Sequence, residues 1–261
     1  MADEECPHGL DREWCSLCRQ AASGAPPAGV KRRPAPRSPA ASRASRPAAV
    51  RSAPVALGPA EALAKVRKVV FHATAYGGWE SIAESGLRTA AQVLGVEAPT
   101  RPREDDVVRD APAGGTYTVR EQRLMARARI EDHLDGLTLT EWLALLNRRS
   151  YFFAQQKDLT THLGRYQQSV GQDVLVFDTA RLLGAARGRV EVTTVVPTQP
   201  DGFGRCRCRG AETFVPLGGY RGGPAEVVEL TVLDGLESVE GLVGRVVRYH
   251  PGGAPPEVIV G

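Results

Sequence analysis

The chain of 261 residues has no apolar run approaching the ~20 residues that cross a bilayer. Its N-terminus, Met1-Ala-Asp-Glu-Glu, is acidic and lacks the apolar stretch of a signal peptide. These two absences predict a cytoplasmic protein with no membrane partner. Acids are missing between Glu13 and Glu61, whereas Lys31, Arg32, Arg33, Arg37, Arg43, Arg46 and Arg51 lie in that interval. Residues 1–60 carry nine Lys/Arg against five Asp/Glu, so the basic excess of the whole chain, +3, is concentrated there. Large apolar side chains are also scarce across residues 21–58, which are mostly Ala, Pro, Arg, Ser and Gly. A segment that cannot bury apolar surface does not offset its ordering entropy, so a disordered basic linker is expected. Internal repeats and a regular strand–helix alternation are absent too, which favours an α+β domain over a doubly wound sheet.

Cysteine is sparse and clustered: Cys6, Cys15 and Cys18, then Cys206 and Cys208. In a cytosolic chain such spacing points to metal or redox chemistry rather than disulfides. Cys6-Pro-His8 and Cys15-Ser-Leu-Cys18 offer four ligands of the kind that hold zinc tetrahedrally, and a Cys-x-x-Cys turn delivers two thiolates to one ion. With only Leu10, Trp14 and Leu17 to pack, residues 1–20 would depend on the metal to fold. The expected organisation is a structural zinc knuckle over 1–20, the linker over 21–58, and a globular domain over 59–261. Such a knuckle beside a basic tether suits nucleic acid, through phosphate contacts, or a protein partner. Arg205-Cys-Arg-Cys-Arg209 reads as a basic loop.

Within the globular part, Pro59 opens a helix, Val69–Thr74 is a strand, and Trp79–Ser85 is a short helix closed by Gly86. Residues 95–115 read as loop. Glu121–Leu134 and Thr140–Asn147 read as helices, the second capped by Thr138 or Thr140. Ser150–Ala154 and Asp173–Asp178 are buried strands, with a helical turn at Thr179–Leu183. Further strands are expected at Arg189–Val196, Ala225–Val232, Arg245–Tyr249 and Glu257–Val260.

Three features exceed packing. His72 and Thr74 sit two apart on one strand, facing the same way. Tyr151, Phe152 and Phe153 follow Arg148 and Arg149 directly. Glu229 interrupts the apolar Val227-Val228-Glu229-Leu230-Thr231-Val232, and an unpaired buried carboxylate is costly enough to suggest a partner or a task. A packing-only account would make His72 a satisfied strand histidine, the aromatics core, Glu229 half of an ion pair, and Trp142 and Asn147 helix packing and cap.

In order, these motifs resemble the ADP-ribosyltransferase superfamily, particularly its DarT-like branch, which modifies nucleic acid. The matching residues are His72-Ala-Thr74 followed by a helix and Gly86-Leu87, then Tyr151-Phe152, then a late strand with its glutamate. The chain also resembles a bacterial family of uncharacterised domains marked by Glu141-Trp142, Leu145-Leu146-Asn147, Tyr151–Phe153 and Asp173–Asp178. The first resemblance implies a mixed or antiparallel split sheet and an enzyme that transfers ADP-ribose from NAD. It implies that Glu229 is the catalytic acid, with Glu226 as the competing position, and that Tyr151, with Phe152, stacks on nicotinamide. It further implies that His72 and Thr74 hold the ribose and that an arginine binds the pyrophosphate, with Arg88 and Arg120 the leading positions and Arg149 a third. The acceptor stays open between DNA, RNA and protein. A different class, a non-catalytic module binding nucleic acid or protein, is the alternative.

Overall fold

The computed structural model describes residues 58–127, 129–166, 170–198 and 209–261. The expected zinc ligands Cys6, His8, Cys15 and Cys18, the linker, and Cys206 and Cys208 lie outside the described residues. Among the described residues no group of three or more His, Cys, Asp or Glu is arranged to hold a metal ion. No described helix is long and apolar enough to cross a membrane.

Among the described residues the fold is α+β, built on one antiparallel sheet of eight strands with helices on both faces. The chain begins with helix α1 (Pro59–Val66) and strand β1 (Val69–Ala75). Helices α2 (Gly78–Ser85) and α3 (Ala90–Leu94) follow, then strands β2 (Val107–Asp110) and β3 (Thr116–Val119), then α4 (Arg123–Arg127). Next come α5 (Leu139–Asn147), β4 (Arg149–Phe153), α6 (Gln156–Tyr166), β5 (Gln172–Asp178) and α7 (Thr179–Ala185). The rest is mainly strand: β6 (Val190–Thr193), β7 (Val215–Pro216), β8 (Glu229–Leu233), β9 (Val243–Tyr249) and β10 (Glu257–Val260). Their order in the sheet is β10-β9-β5-β1-β4-β8-β6-β7, with β2 and β3 forming a separate hairpin.

Caps fix several helix starts. Thr138 accepts from the backbone N–H of Glu141, whose carboxylate accepts in return from the Thr138 N–H, a reciprocal box before α5. Asp178 caps α7 through Arg181 N–H. Gly86 closes α2 at φ +80, and a Cβ there would lie 2.3 Å from the Leu236 carbonyl oxygen. The Gly86-Leu87 step thus lets Leu87 pair with Leu236.

The sheet faces read from the register. Val70, Phe152, Leu175, Phe177, Leu230 and Val232 bury one face against α1 and α7. Phe71, Val174, Val176 and Val247 bury the other against Leu159 and Leu163 of α6. A third cluster, around Trp142, Leu143, Leu146 and Phe214, packs α5 beside β4.

Four expected elements need correction. Residues 95–115 are not all loop: β2 and β3 pair from Val107–Val119 to Asp110–Thr116. Glu121–Leu134 is not one helix, because Arg129 adopts φ +48 and separates α4 from a 3-10 turn at Ile130–His133. The strand expected over Arg189–Val196 is only Val190–Thr193, ended where Thr193 Oγ1 donates to the Val195 carbonyl at 2.7 Å. The strand expected from Ala225 begins at Glu229, since Pro224–Glu226 form a 3-10 turn. Helix α6 was not anticipated at all.

Candidate active site

The central strands β1, β4 and β8 lie side by side, but their joints differ. β4 and β8 pair along five residues, from Arg149–Leu233 to Phe153–Glu229. β1 and β4 share a single pair, Phe71–Phe153, and then part. In this split a cavity of about 460 Å³ opens, a size typical of small-molecule sites. His72 and Thr74 line it from one edge, and Ser150, Tyr151, Phe153 and Glu229 from the other.

The split matters for parity. Strand alternation puts His72 beside Phe152, while the register sets Glu229 beside Phe153, so an unbroken sheet would send them to opposite faces. Because β1 and β4 separate, both side chains reach the same space. The His72 ring spans the gap, its Nδ1 2.8 Å from the Tyr151 carbonyl oxygen. A carbonyl only accepts, so Nδ1 carries the proton and neutral His72 keeps Nε2 as an acceptor. Burial holds its pKa below the ordinary 6.5, against the opposing effect of that hydrogen bond.

Tyr151 is fixed by its hydroxyl, which donates to the Leu146 carbonyl at 3.0 Å, and burial pushes its pKa well up. Thr74 lines the cavity beside Gly78, where a Cβ would come within 2.7 Å of Thr74 Oγ1. Phe152 does not join the expected set. It is fully buried on the opposite face, edge-on to Phe177 at 5.1 Å, and Phe153 takes the cavity position instead.

Glu229 is 6% exposed and has no hydrogen-bond or ion-pair partner among the described residues. Burial first, and then the charge of Asp158, raise its pKa to about 8. Glu226 is exposed on its 3-10 turn and does not line the cavity. The structural ion pair lies elsewhere: Arg149 forks onto Glu191 at 2.7 and 2.9 Å, with its guanidinium 4.1 Å from the Phe214 ring centre. Arg149 touches the cavity wall but is committed to that pair.

Of the remaining cations, Arg88 and Arg120 both line the cavity as expected. Arg88 uses Nε on the Ser85 carbonyl at 3.1 Å, and Arg120 meets Asp106 at 3.0 Å. Sequence reasoning missed Arg103, which also lines the cavity from the segment before β2. Arg103 donates to the Arg120 carbonyl at 3.1 Å and to Asn147 Oδ1 at 3.0 Å. Asn147 is therefore more than the expected helix cap. Its oxygen faces Arg103, so its amide nitrogen, buried and without a hydrogen-bond partner, is left in the cavity wall. The cavity thus brings Arg88, Arg103, Arg120 and the Asn147 amide together with three acids, Glu121, Asp158 and Glu229.

The molecule is accordingly an α+β domain whose antiparallel sheet parts over this cavity. A family model described as a family of unknown function, DUF7002, matches residues 68–243, about two thirds of the chain's 261 residues, and the chain belongs to that family. The match spans every cavity-lining residue from His72 to Glu229. No curated protein and no solved structure matches the chain.

Proposed function

We propose that this protein is an ADP-ribosyltransferase that takes NAD as its substrate and modifies nucleic acid, as the likeness to the DarT-like branch implies. The observation that carries the reading is the convergence of His72, Tyr151 and Glu229, from three adjacent strands, on one cavity at the split of the sheet. The donors and acceptors in that cavity suit the ligand. His72 Nε2 accepts a hydrogen bond from a ribose hydroxyl, and Thr74 offers a second polar contact. The Tyr151 ring, held at its hydroxyl, presents a face to nicotinamide. Arg88, Arg103 and Arg120 suit the pyrophosphate, since guanidinium forks match phosphate oxygens. Glu229 hydrogen-bonds the ribose hydroxyls beside the carbon at which the glycosidic bond breaks. The basic stretch from Lys31 to Arg51 supports nucleic acid as the acceptor.

Incubating the full chain with labelled NAD and single-stranded DNA, RNA or bacterial lysate tests the proposal. Transfer of label that Glu229→Gln abolishes is the expected result. A folded protein that neither binds nor consumes NAD would refute it.

A further inference from the structure

Two further acids, Glu121 and Asp158, line the cavity with Glu229, and the resemblance assigns Asp158 no task. Asp158 lies in the first turn of α6 and lines the cavity. Its position is built from the sheet. Ala154 N–H donates to the Val228 carbonyl and Gln155 Nε2 to the Val227 carbonyl, both at 3.0 Å. These bonds pin the corner between β4 and α6 onto the residues running into β8. Phe153, at that corner, is the register partner of Glu229, and Asp158 follows five residues later. The two carboxyl groups therefore face one space from a strand and from the helix packed over it.

Neither acid is neutralised by contact. Asp158 Oδ2 is buried without a hydrogen-bond partner. Around it stand Lys157 and His162 on its own helix, Arg67 at the end of α1 and Glu229 on β8. Arg67 acts only at a distance, its Nη2 being engaged by the Ala225 carbonyl at 3.0 Å. Around Glu229 stand Tyr151 and Asp158. Ser150 also lines the cavity, from the face of β4 that carries Phe152, and its buried Oγ has no hydrogen-bond partner among the described residues.

Two acids on one cavity do not both ionise readily. Burial raises both acids, and Glu229, the more deeply buried, is raised to about 8. At neutral pH Glu229 therefore largely holds its proton, and Asp158 is the other unpartnered acid on the same cavity.

We infer that Asp158 is the general base of the reaction, taking the proton from the acceptor nucleophile while Glu229 holds the ribose. This inference rests on the transferase reading. In the balanced step, the bond from ribose C1′ to the nicotinamide nitrogen breaks and its electron pair leaves with nicotinamide. A lone pair on the acceptor oxygen or nitrogen forms the new bond to C1′. The proton of that atom passes to Asp158 and then to solvent.

The test compares wild type, Asp158→Asn and Glu229→Gln in the full chain, with NAD and single-stranded DNA, with and without azide. Asp158→Asn removes the charge and keeps the shape, and unchanged near-ultraviolet circular dichroism verifies its fold. A general base contributes roughly 10²–10⁴-fold, so Asp158→Asn should bind NAD within about threefold of wild type yet transfer at least ~100-fold more slowly. Azide attacks without losing a proton, so it should restore NAD cleavage in Asp158→Asn but not in Glu229→Gln. Transfer by Asp158→Asn near the wild-type rate, or loss that azide does not restore, overturns the base role while leaving the transferase reading intact. Inactive wild type overturns both. Titration of isotope-labelled glutamate carboxyls gives a second measurement: Asp158→Asn should lower the Glu229 midpoint, and an unmoved midpoint contradicts the coupling.

Discussion

Replacing Glu229 by Gln should stabilise the protein, and increasingly so as the pH rises. The substitution keeps the shape of the side chain and removes its ability to ionise. Glu229 ordinarily titrates near 4.5, and in the fold it is raised to about 8. Below pH 4.5 the carboxyl is protonated in folded and unfolded chains alike, so its contribution to stability is fully present there. Between 4.5 and about 8 the unfolded chain releases the proton and the folded chain keeps it, and stability drains away. Each pH unit in that window costs about 1.4 kcal/mol, so the loss reaches ~3 kcal/mol at pH 7 and levels off near ~5 kcal/mol above pH 8.

The glutamine variant escapes this loss because it has no proton to release. A domain of this size shifts its melting temperature by roughly 2–4 °C per kcal/mol, which gives a gain of roughly 6–12 °C at pH 7. Thermal melts of both proteins, followed by circular dichroism at pH 4.5, 6, 7 and 8.5, measure it. The two should melt together at pH 4.5 and diverge steadily above it. Taking the difference between proteins cancels the titrating groups that are not coupled to Glu229. A difference that stays constant with pH, or a wild type that gains on the variant as pH rises, refutes the argument.

Other consequences follow from the same contacts. Arg149→Met leaves Glu191 buried and unpaired, so unfolding by denaturant should show a loss of about 3–5 kcal/mol. Arg88→Ala and Arg103→Ala should each weaken binding of ADP-ribose by roughly tenfold in calorimetry, the scale of one charge-assisted hydrogen bond, whereas Glu226→Gln should leave it unchanged. Gly86→Ala forces a side chain onto a left-handed residue and against the Leu236 carbonyl, and should cost about 2 kcal/mol in chemical denaturation.

The elements legible in the sequence are those whose burial is continuous or whose caps are local. β4 and β5 read as apolar runs because the sheet covers both their faces. Thr138 with Glu141, and Asp178, announce their helices by chemistry that acts within four residues. The hairpin of β2 and β3 escaped because Val108, Arg109 and Asp110 are exposed and only Tyr117 and Val119 turn inward. Helix α6 escaped because its described apolar stripe is Leu159 and Leu163 in an otherwise polar segment. In the site, residue types were legible but partners were not. Nothing local says that Arg149 faces Glu191, 42 positions away, or that Arg103 orients Asn147. The exchange of Phe152 for Phe153 is a matter of register, fixed by the pairing of Phe153 with Glu229. Pro224 did carry a usable signal, since it favours a turn and pushes the strand start beyond Glu226.

The contrast between two glutamates separates function from poor packing as the origin of the buried acid. Glu191 and Glu229 lie on neighbouring strands, and both are nearly excluded from water. Glu191 receives a forked guanidinium and the Thr231 hydroxyl at 3.2 Å, so this sheet can neutralise a buried carboxylate when the charge is only structural. The Glu229 carboxyl receives nothing among the described residues, although it shares its cavity with a second unpartnered acid, Asp158. Packing alone would favour a leucine there, because an apolar side chain avoids the cost of ionisation. Retaining the acid at a cost of several kcal/mol makes physical sense if a ligand supplies the missing partners. Under the proposed function a ribose diol would do so, donating to a carboxylate and accepting from a carboxyl. Saturating ADP-ribose should therefore abolish the gap in stability between wild type and Glu229→Gln at pH 7.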